Sequence, residues 1–329
     1  MLTYRIERNH GIILQKEEIG LDVSGDVAKH VFVSHAHADH LPRDRYIHVY
    51  ATSATARLMQ ARGFKGDITE VDFGKPVEFD HARVTLYPAG HILGSAMIGI
   101  ESDQGHTLYT GDYKTPPSPV TEGFKCPQKV DYLITEATFP LPIYKWRNHN
   151  DLFREMREFA RQSLKEGYTP VFLCYNLGKA QEVMHGLAPL GITQQIHGAG
   201  YELCNIYREF GYELGSYEAY DRNSVNDGKI LIAPSSSLEQ PMIRNLRNKR
   251  VAYVSGWATH ESRRTQLTID KLIPLSDHID FFELIELCEK LSPKMVYITH
   301  TPNPRVVSHY LKQKGIQSQP LNMEGFDND

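Results

Sequence analysis

The sequence predicts an α/β protein: a sandwich of sheets with helices packed outside it, interrupted by a second α/β unit. Three observations lead there. Up to about residue 135 the chain is dominated by short apolar runs broken by Gly, Pro and Asp, the texture of many strands with few helices. After Pro140-Leu-Pro142 strand-like runs alternate with stretches of helical periodicity, which implies a parallel sheet crossed by helices. Histidines and acids at the ends of apolar runs lie on both sides of that second stretch, so it reads as an insertion within a larger domain.

Taken in order, Ile12–Leu14, Val31–Val33, Val84–Tyr87, Met97–Ile100, Thr107–Tyr109 and Tyr132–Ile134 read as strands. Ser53–Ala61 reads as a helix opened by a Ser or Thr cap. In the insertion, helical periodicity over Asp151–Lys165 precedes a buried strand at Pro170–Cys174. A helix over Leu177–His185 follows, closed by Gly186 and Pro189, then a short strand at Gln195–Ile196. A helix over Tyr201–Phe210 and a strand at Lys229–Ala233 complete it. Strands resume at Val251–Val254, Leu272–Pro274 and Met295–Ile298, with helices at Asp280–Leu291 and Arg305–Lys314. The expected division is therefore residues 1–140 together with 251–329, and an inserted domain over 141–250.

Hydrophobic residues make up 41% of the 329, enough for a proper core. The net charge of −4 argues against a chain that binds nucleic acid through bulk charge, so such a contact needs a local basic groove. Cys126, Cys174, Cys204 and Cys288 are far apart and form no CxxC pair, which fits free thiols in a reducing compartment. The chain opens without the build of a signal peptide, and no apolar run approaches membrane-spanning length. A cytoplasmic protein with no membrane contact is expected.

The chemistry gathers at Val31-Phe-Val-Ser-His35-Ala-His37-Ala-Asp39-His40. Histidines two apart on extended chain point the same way, so His35 and His37 can grip one cation, while Asp39 and His40 face a second as the chain turns. Imidazole and carboxylate suit Zn²⁺, Mn²⁺ or Fe. His91, bracketed by Gly90 and Gly94, is a third ligand for the first ion, and Asp112, in Thr110-Gly-Asp112, can bridge both. Beyond the insertion His300 ends an apolar run and completes the second ion. His278 is cast as the proton donor to a leaving oxygen, with Glu136 fixing its tautomer. Any one of Glu136, His278 and His300 has an equally good structural explanation, and their joint presence favours function. Lys179 after Gly178, the serines Ser235, Ser236 and Ser237, and Arg263 are candidate phosphate contacts, at a strand-to-helix passage, after a strand and near a basic cluster.

His35-x-His37-x-Asp39-His40, His91 and Asp112 resemble the metallo-β-lactamase superfamily. The insertion with Glu136, His278 and His300 resembles its β-CASP branch of nucleases, in which these three would be motifs A, B and C. Over nearly the whole chain the likeness extends to the bacterial DNA-ligase-associated exonuclease family. It runs through Ser34–His40, Pro88–Ser95, Gly111–Lys114, Thr135–Phe139, Leu141–Tyr144, Leu177–Gln181, Ser255–Trp257 and Leu275–His278.

The resemblance implies a metallo-β-lactamase αββα sandwich with an inserted β-CASP cap acting as a lid, and two divalent metal ions, Zn or Mn. It implies hydrolysis of a phosphodiester by a hydroxide shared between the ions, with Asp39, His278 and Glu136 as catalytic residues. The substrate would be DNA, as single strands or ends, attacked from a 5′ end during repair, with a DNA ligase and helicase acting in the same pathway. A histidine at motif C is more usual in RNA-cutting members, so an RNA-processing nuclease is the rival reading. A non-catalytic nucleic-acid-binding scaffold is the third, and the complete ligand set argues against it.

Overall fold

Short apolar runs too brief to be stable alone are completed by their neighbours, and in the first part of the chain they pair almost as they are met. The structure, a computed structural model, describes residues 2–7 and 11–321. Two units divide it, Met1–Lys145 with His278–Asp329, and Trp146–Asp277. Among the described residues there are three sheets.

In the first unit, β1 (Tyr4–Ile6), β2 (Ile12–Leu14), β3 (Ile19–Leu21), β4 (His30–Phe32), β5 (Val49–Ala51) and β6 (Ile68–Glu70) lie side by side in chain order. The first three are antiparallel and the rest join in parallel. The second sheet begins with β7 (Val77–Glu78), β8 (Arg83–Pro88), β9 (Ala96–Ser102), β10 (Gly105–Tyr109) and β11 (Tyr132–Glu136). The second unit contributes β12 (Thr169–Leu173), β13 (Gln194–Ile196), β14 (Tyr217–Ala219), β15 (Ile230–Ala233), β16 (Lys249–Val254) and β17 (Lys271–Ile273) to a sheet of its own. The chain then returns with β18 (Met295–Thr299) and β19 (Ser318–Pro320), which complete the second sheet in the order β19-β18-β11-β10-β9-β8-β7.

Alternation along β9 shows how the first unit is layered. Ala96, Ile98 and Ile100 join one core with Leu14, Ile19 and Phe32 of the first sheet and Leu86, Tyr109 and Ile134 of the second. Met97, from the opposite face of the same strand, joins another core with Leu108, Leu133, Val296 and Ile298. That second core is closed by Leu284, Cys288 and Leu291 of the helix Phe281–Leu291, and by Val307 and Leu311 of the helix Pro304–Gln313. The order is thus sheet, sheet, helix pair. Helix Phe281–Leu291 starts from a reciprocal cap: Asp280 accepts from the Glu283 amide at 2.9 Å, and Glu283 accepts from the Asp280 amide. This cap anchors the chain directly after His278.

The third sheet is parallel throughout, in the order β14-β13-β15-β12-β16-β17. It corrects the expected domain boundary. Residues 251–277 were assigned by sequence to the first domain, yet β16 runs beside β12 from Thr169↔Lys249 to Leu173↔Tyr253, and β17 beside β16. The second unit therefore ends at Asp277, not at residue 250. The physical reason is that an apolar run such as Val251–Val254 reports burial but not which strand satisfies its backbone. Among the described residues no helix is long and apolar enough to cross a membrane, and all four cysteines are free.

Candidate metal centre

Chain ends of β3, β4, β10, β11 and β18 carry Asp22, Ser34–His40, Asp112, Glu136 and His300. Strand ends suit such a task because the sheet fixes the backbone while the last side chains escape the ladder. His35, His37, His91 and Asp112 are all buried, and one ligand atom from each lies within 4.8 Å of the others. Nε2 of His35 stands 3.5 Å from Oδ2 of Asp112, Nε2 of His91 stands 3.7 Å from it, and Nε2 of His91 lies 3.0 Å from Nδ1 of His37. The second group is looser. Nε2 of His40 lies 3.4 Å from Asp112 and 3.7 Å from Asp39, whose side chain is exposed, and the rings of His40 and His300 stack at 5.1 Å. His300 holds a left-handed backbone at φ +44°, a cost that a non-glycine residue bears only under constraint.

These residues fit a divalent cation by a test of their own. Among the described residues, Nε2 of both His35 and His40 is buried without a hydrogen-bond partner. Each nevertheless faces the Asp112 carboxylate, at 3.5 and 3.4 Å, longer than the usual N–H···O hydrogen bond. Two ligands each about 2.0–2.1 Å from a tetrahedral ion are themselves about 3.3 Å apart, close to the separations observed. Burial, with His40 adding to it, holds His35 well below the ordinary imidazole range, so it stays neutral and its lone pair remains available. For His40 burial pulls the same way, but Asp112, Asp39 and Asp22 outweigh it and raise the group well above its usual value. Asp112 is held well below the carboxylate range, burial opposing and His40 prevailing. In the absence of an ion, His40 and Asp112 thus balance each other's charge.

His91 sits on a loop that only glycine permits. Gly90 adopts φ +76°, and a Cβ there would meet the Lys114 carbonyl oxygen at 2.5 Å. Gly94 adopts φ +75°, packed against the amide of Thr55 at the start of helix Ser53–Ala61. Ser95 Oγ accepts from the His91 and Ile92 amides and closes the turn. Gly90→Ala is expected to destabilise the fold by about 1–3 kcal/mol, seen as a lower melting temperature together with weakened cation uptake; unchanged melting would remove this account of the loop.

Glu136 is fully buried and heavily engaged. It accepts from Nδ1 of His278 at 2.8 Å, from the amides of Tyr113 and Thr138 at 3.1 and 3.2 Å, and from the Thr138 hydroxyl. The ring of His278 lies 4.7 Å from that of His91, and Asp112, Glu136 and His278 form a further set of ligand atoms within 4.8 Å. Glu136 and His278 are therefore drawn into the same cluster as the metal-ligand candidates.

The phosphate candidates belong to the second unit. Lys179 is buried, and its ammonium sits 2.7 Å from Asp277 Oδ1 rather than at an open surface. Ser235–Ser237 form one short helical turn with Ser235 and Ser236 exposed and Ser237 buried. The Arg263 side chain lies outside the described residues.

Sequence reasoning missed Asp22. Its carboxylate accepts from the Ser34 amide at 2.7 Å, the Ser34 hydroxyl at 2.6 Å, Nδ1 of His40 at 2.7 Å and the Tyr109 hydroxyl at 2.8 Å. The available signal was an acid directly after the apolar run Ile19-Gly-Leu21, the same placement that marks Asp112 and Glu136.

No family model matches the chain. It is 30% identical over 302 residues to a protein named "Probable DNA ligase" from Opitutus terrae, a match spanning 91% of this chain and 29% of that protein. It is 29% identical over 179 residues to an "RNase J-like protein" of Methanocaldococcus jannaschii, covering 47% of this chain and 42% of the relative. It is 24% identical over 298 residues to "DNA cross-link repair protein SNM1" of Arabidopsis thaliana, covering 82% and 60%. The chain thus spans less than two thirds of the length of each of these relatives. With these likenesses, and with its histidines and aspartates gathered at the ends of sheet strands, the chain belongs to the β-CASP branch of the metallo-β-lactamase superfamily.

Proposed function

We propose that the chain is a metal-dependent nuclease that hydrolyses phosphodiester bonds of DNA, acting as an exonuclease on single strands or ends during repair, with attack from the 5′ end. The observation that carries the reading is the convergence of His35, His37, His91 and Asp112, beside which, among the described residues, Nε2 of His35 and Nε2 of His40 are buried without a hydrogen-bond partner. The relatives named for DNA ligation and cross-link repair support action on DNA, and work beside a ligase and helicase is proposed with it. On this reading the two sheets and helix pair are part of an αββα sandwich, and Trp146–Asp277 is the β-CASP cap. The free cysteines support a cytoplasmic setting, burial pushing the thiols of Cys174, Cys204 and Cys288 up to about 12.

His35, His37, His91 and Asp112 would hold one Zn or Mn ion, and Asp39, His40 and His300 a second shared through Asp112. Such ions, when bound, supply Lewis-acid relief of charge on the phosphoryl oxygens and activation of water. The rest falls to the protein. Asp39, with an exposed side chain 3.7 Å from Nε2 of His40, would orient the attacking water. Glu136, saturated with donors, holds the Nδ1 proton of His278 so that Nε2 carries the proton delivered to the departing sugar oxygen. Lys179, Ser235, Ser236, Ser237 and Arg263 remain proposed phosphate contacts, with Lys179 required to exchange its Asp277 partner.

The test is digestion of end-labelled single-stranded DNA and RNA of one sequence, with and without a chelator. Cleavage of DNA from its 5′ end, lost on chelation and restored by Mn²⁺, is expected. Metal-independent cleavage, or none under any metal, would refute the proposal. RNA-processing activity is the second reading, favoured by the RNase J-like relative and by His300 at the end of β18; faster loss of the RNA would select it.

A further inference from the structure

The hydrogen bonds around Asp22 have a direction, and following the protons shows what they do. An ionised carboxylate only accepts, so Ser34 donates its hydroxyl hydrogen to Asp22 Oδ2 at 2.6 Å. Ser34 Oγ can then only accept from His35, 2.9 Å away, which places the proton of that ring on Nδ1 and leaves the lone pair on Nε2. His40 donates Nδ1–H to the same carboxylate at 2.7 Å, so the nitrogen it offers to a cation, once its other proton is displaced, is Nε2. Among the described residues both of those Nε2 atoms are buried without a hydrogen-bond partner, and both face Asp112. Tyr109, buried at the end of β10, adds a fourth hydrogen bond to the carboxylate at 2.8 Å and ties it to the second sheet. Asp22 itself stands at the end of β3 in the first sheet, at φ +49°.

We propose that Ser34 and Tyr109 are positioning residues of a single relay. One carboxylate sets the tautomer of a ligand from each cation position, His40 directly and His35 through the Ser34 hydroxyl, and Tyr109 holds that carboxylate in register. The two cation positions are thereby coupled through the protein as well as through Asp112. This rests on the metal-centre part of the functional reading and not on the identity of the substrate. Partners of this kind are worth roughly 10–100-fold in metal affinity.

The relay divides unequally, and that is what makes it testable. Full-length protein stripped of metal is titrated with Co²⁺, following its absorption spectrum and the heat of binding, with melting temperature measured alongside. Wild type is expected to take up two ions. Ser34→Ala is expected to weaken one of the two steps about 10–100-fold and change the spectrum of that ion alone, because His40 keeps its bond to Asp22. Ser34→Thr, which keeps the hydroxyl, is expected to restore it. Tyr109→Phe is expected to weaken both steps together by several-fold. Equal losses at both steps in Ser34→Ala, no rescue by Ser34→Thr, or unchanged affinities in Tyr109→Phe would overturn the relay. If Ser34→Ala does not fold, the other two variants decide. Normal Co²⁺ uptake in a protein that cuts no nucleic acid would leave the relay standing and remove the nuclease reading; cleavage with unchanged affinities in the variants would do the reverse.

Discussion

Asp112→Asn will leave the sheets paired and lower the turnover of labelled DNA by about 10³-fold or more. The side chain keeps its shape but loses the charge that faces His35, His40 and His91 at 3.4 to 3.7 Å. Lewis-acid stabilisation of a phosphoryl transition state is worth several kcal/mol, and each 1.36 kcal/mol is tenfold in rate. The same change leaves His40 without the leading carboxylate that raises it, so its proton and a cation no longer compete on the same terms. Metal content per chain, measured by mass spectrometry, should fall with the activity. A variant with full metal content and wild-type turnover would show that Asp112 is not shared by the ions.

The second large effect is expected at His278. Removing a general acid costs about 10²–10⁴-fold, so His278→Ala should lower kcat by that amount on DNA while metal content stays near wild type. Replacing the natural leaving group by a nitrophenolate, which departs without a proton, should shrink the deficit to within a few-fold. Glu136→Gln should show the same leaving-group pattern at smaller size. Glutamine keeps an acceptor for Nδ1 of His278, but it also presents an amide to the donors of Tyr113 and Thr138. A deficit that is the same for both leaving groups would assign His278 to metal binding, the role its closeness to Asp112 also permits.

Much of this centre is visible before folding because its chemistry is local. His35, His37, Asp39 and His40 crowd into six positions, and each later candidate closes an apolar run, which is where a strand stops and a side chain becomes available. Helix Ser53–Ala61 is read at the bounds it adopts, with Thr52 as its cap, since caps and turns are written within a few residues. The strands Tyr4–Ile6, Ile19–Leu21, Val49–Ala51 and Ser318–Pro320 were not anticipated. Three residues do not establish a period, and such strands exist only because longer or earlier neighbours complete their ladders.

The sequence alone supplied the candidate ligands, the alternation of buried and exposed positions, and the presence of an interrupting α/β unit. Those are properties of residue type and short spacing. Tertiary structure alone decided three things. β16 and β17 belong with β12, so the interruption runs to Asp277. The ammonium of Lys179 is taken up by Asp277. Asp22 serves His40, Ser34 and Tyr109, which stand 18, 12 and 87 positions away. In each case the interaction is a choice of partner, and burial patterns along a chain specify that a group must be satisfied without specifying by whom.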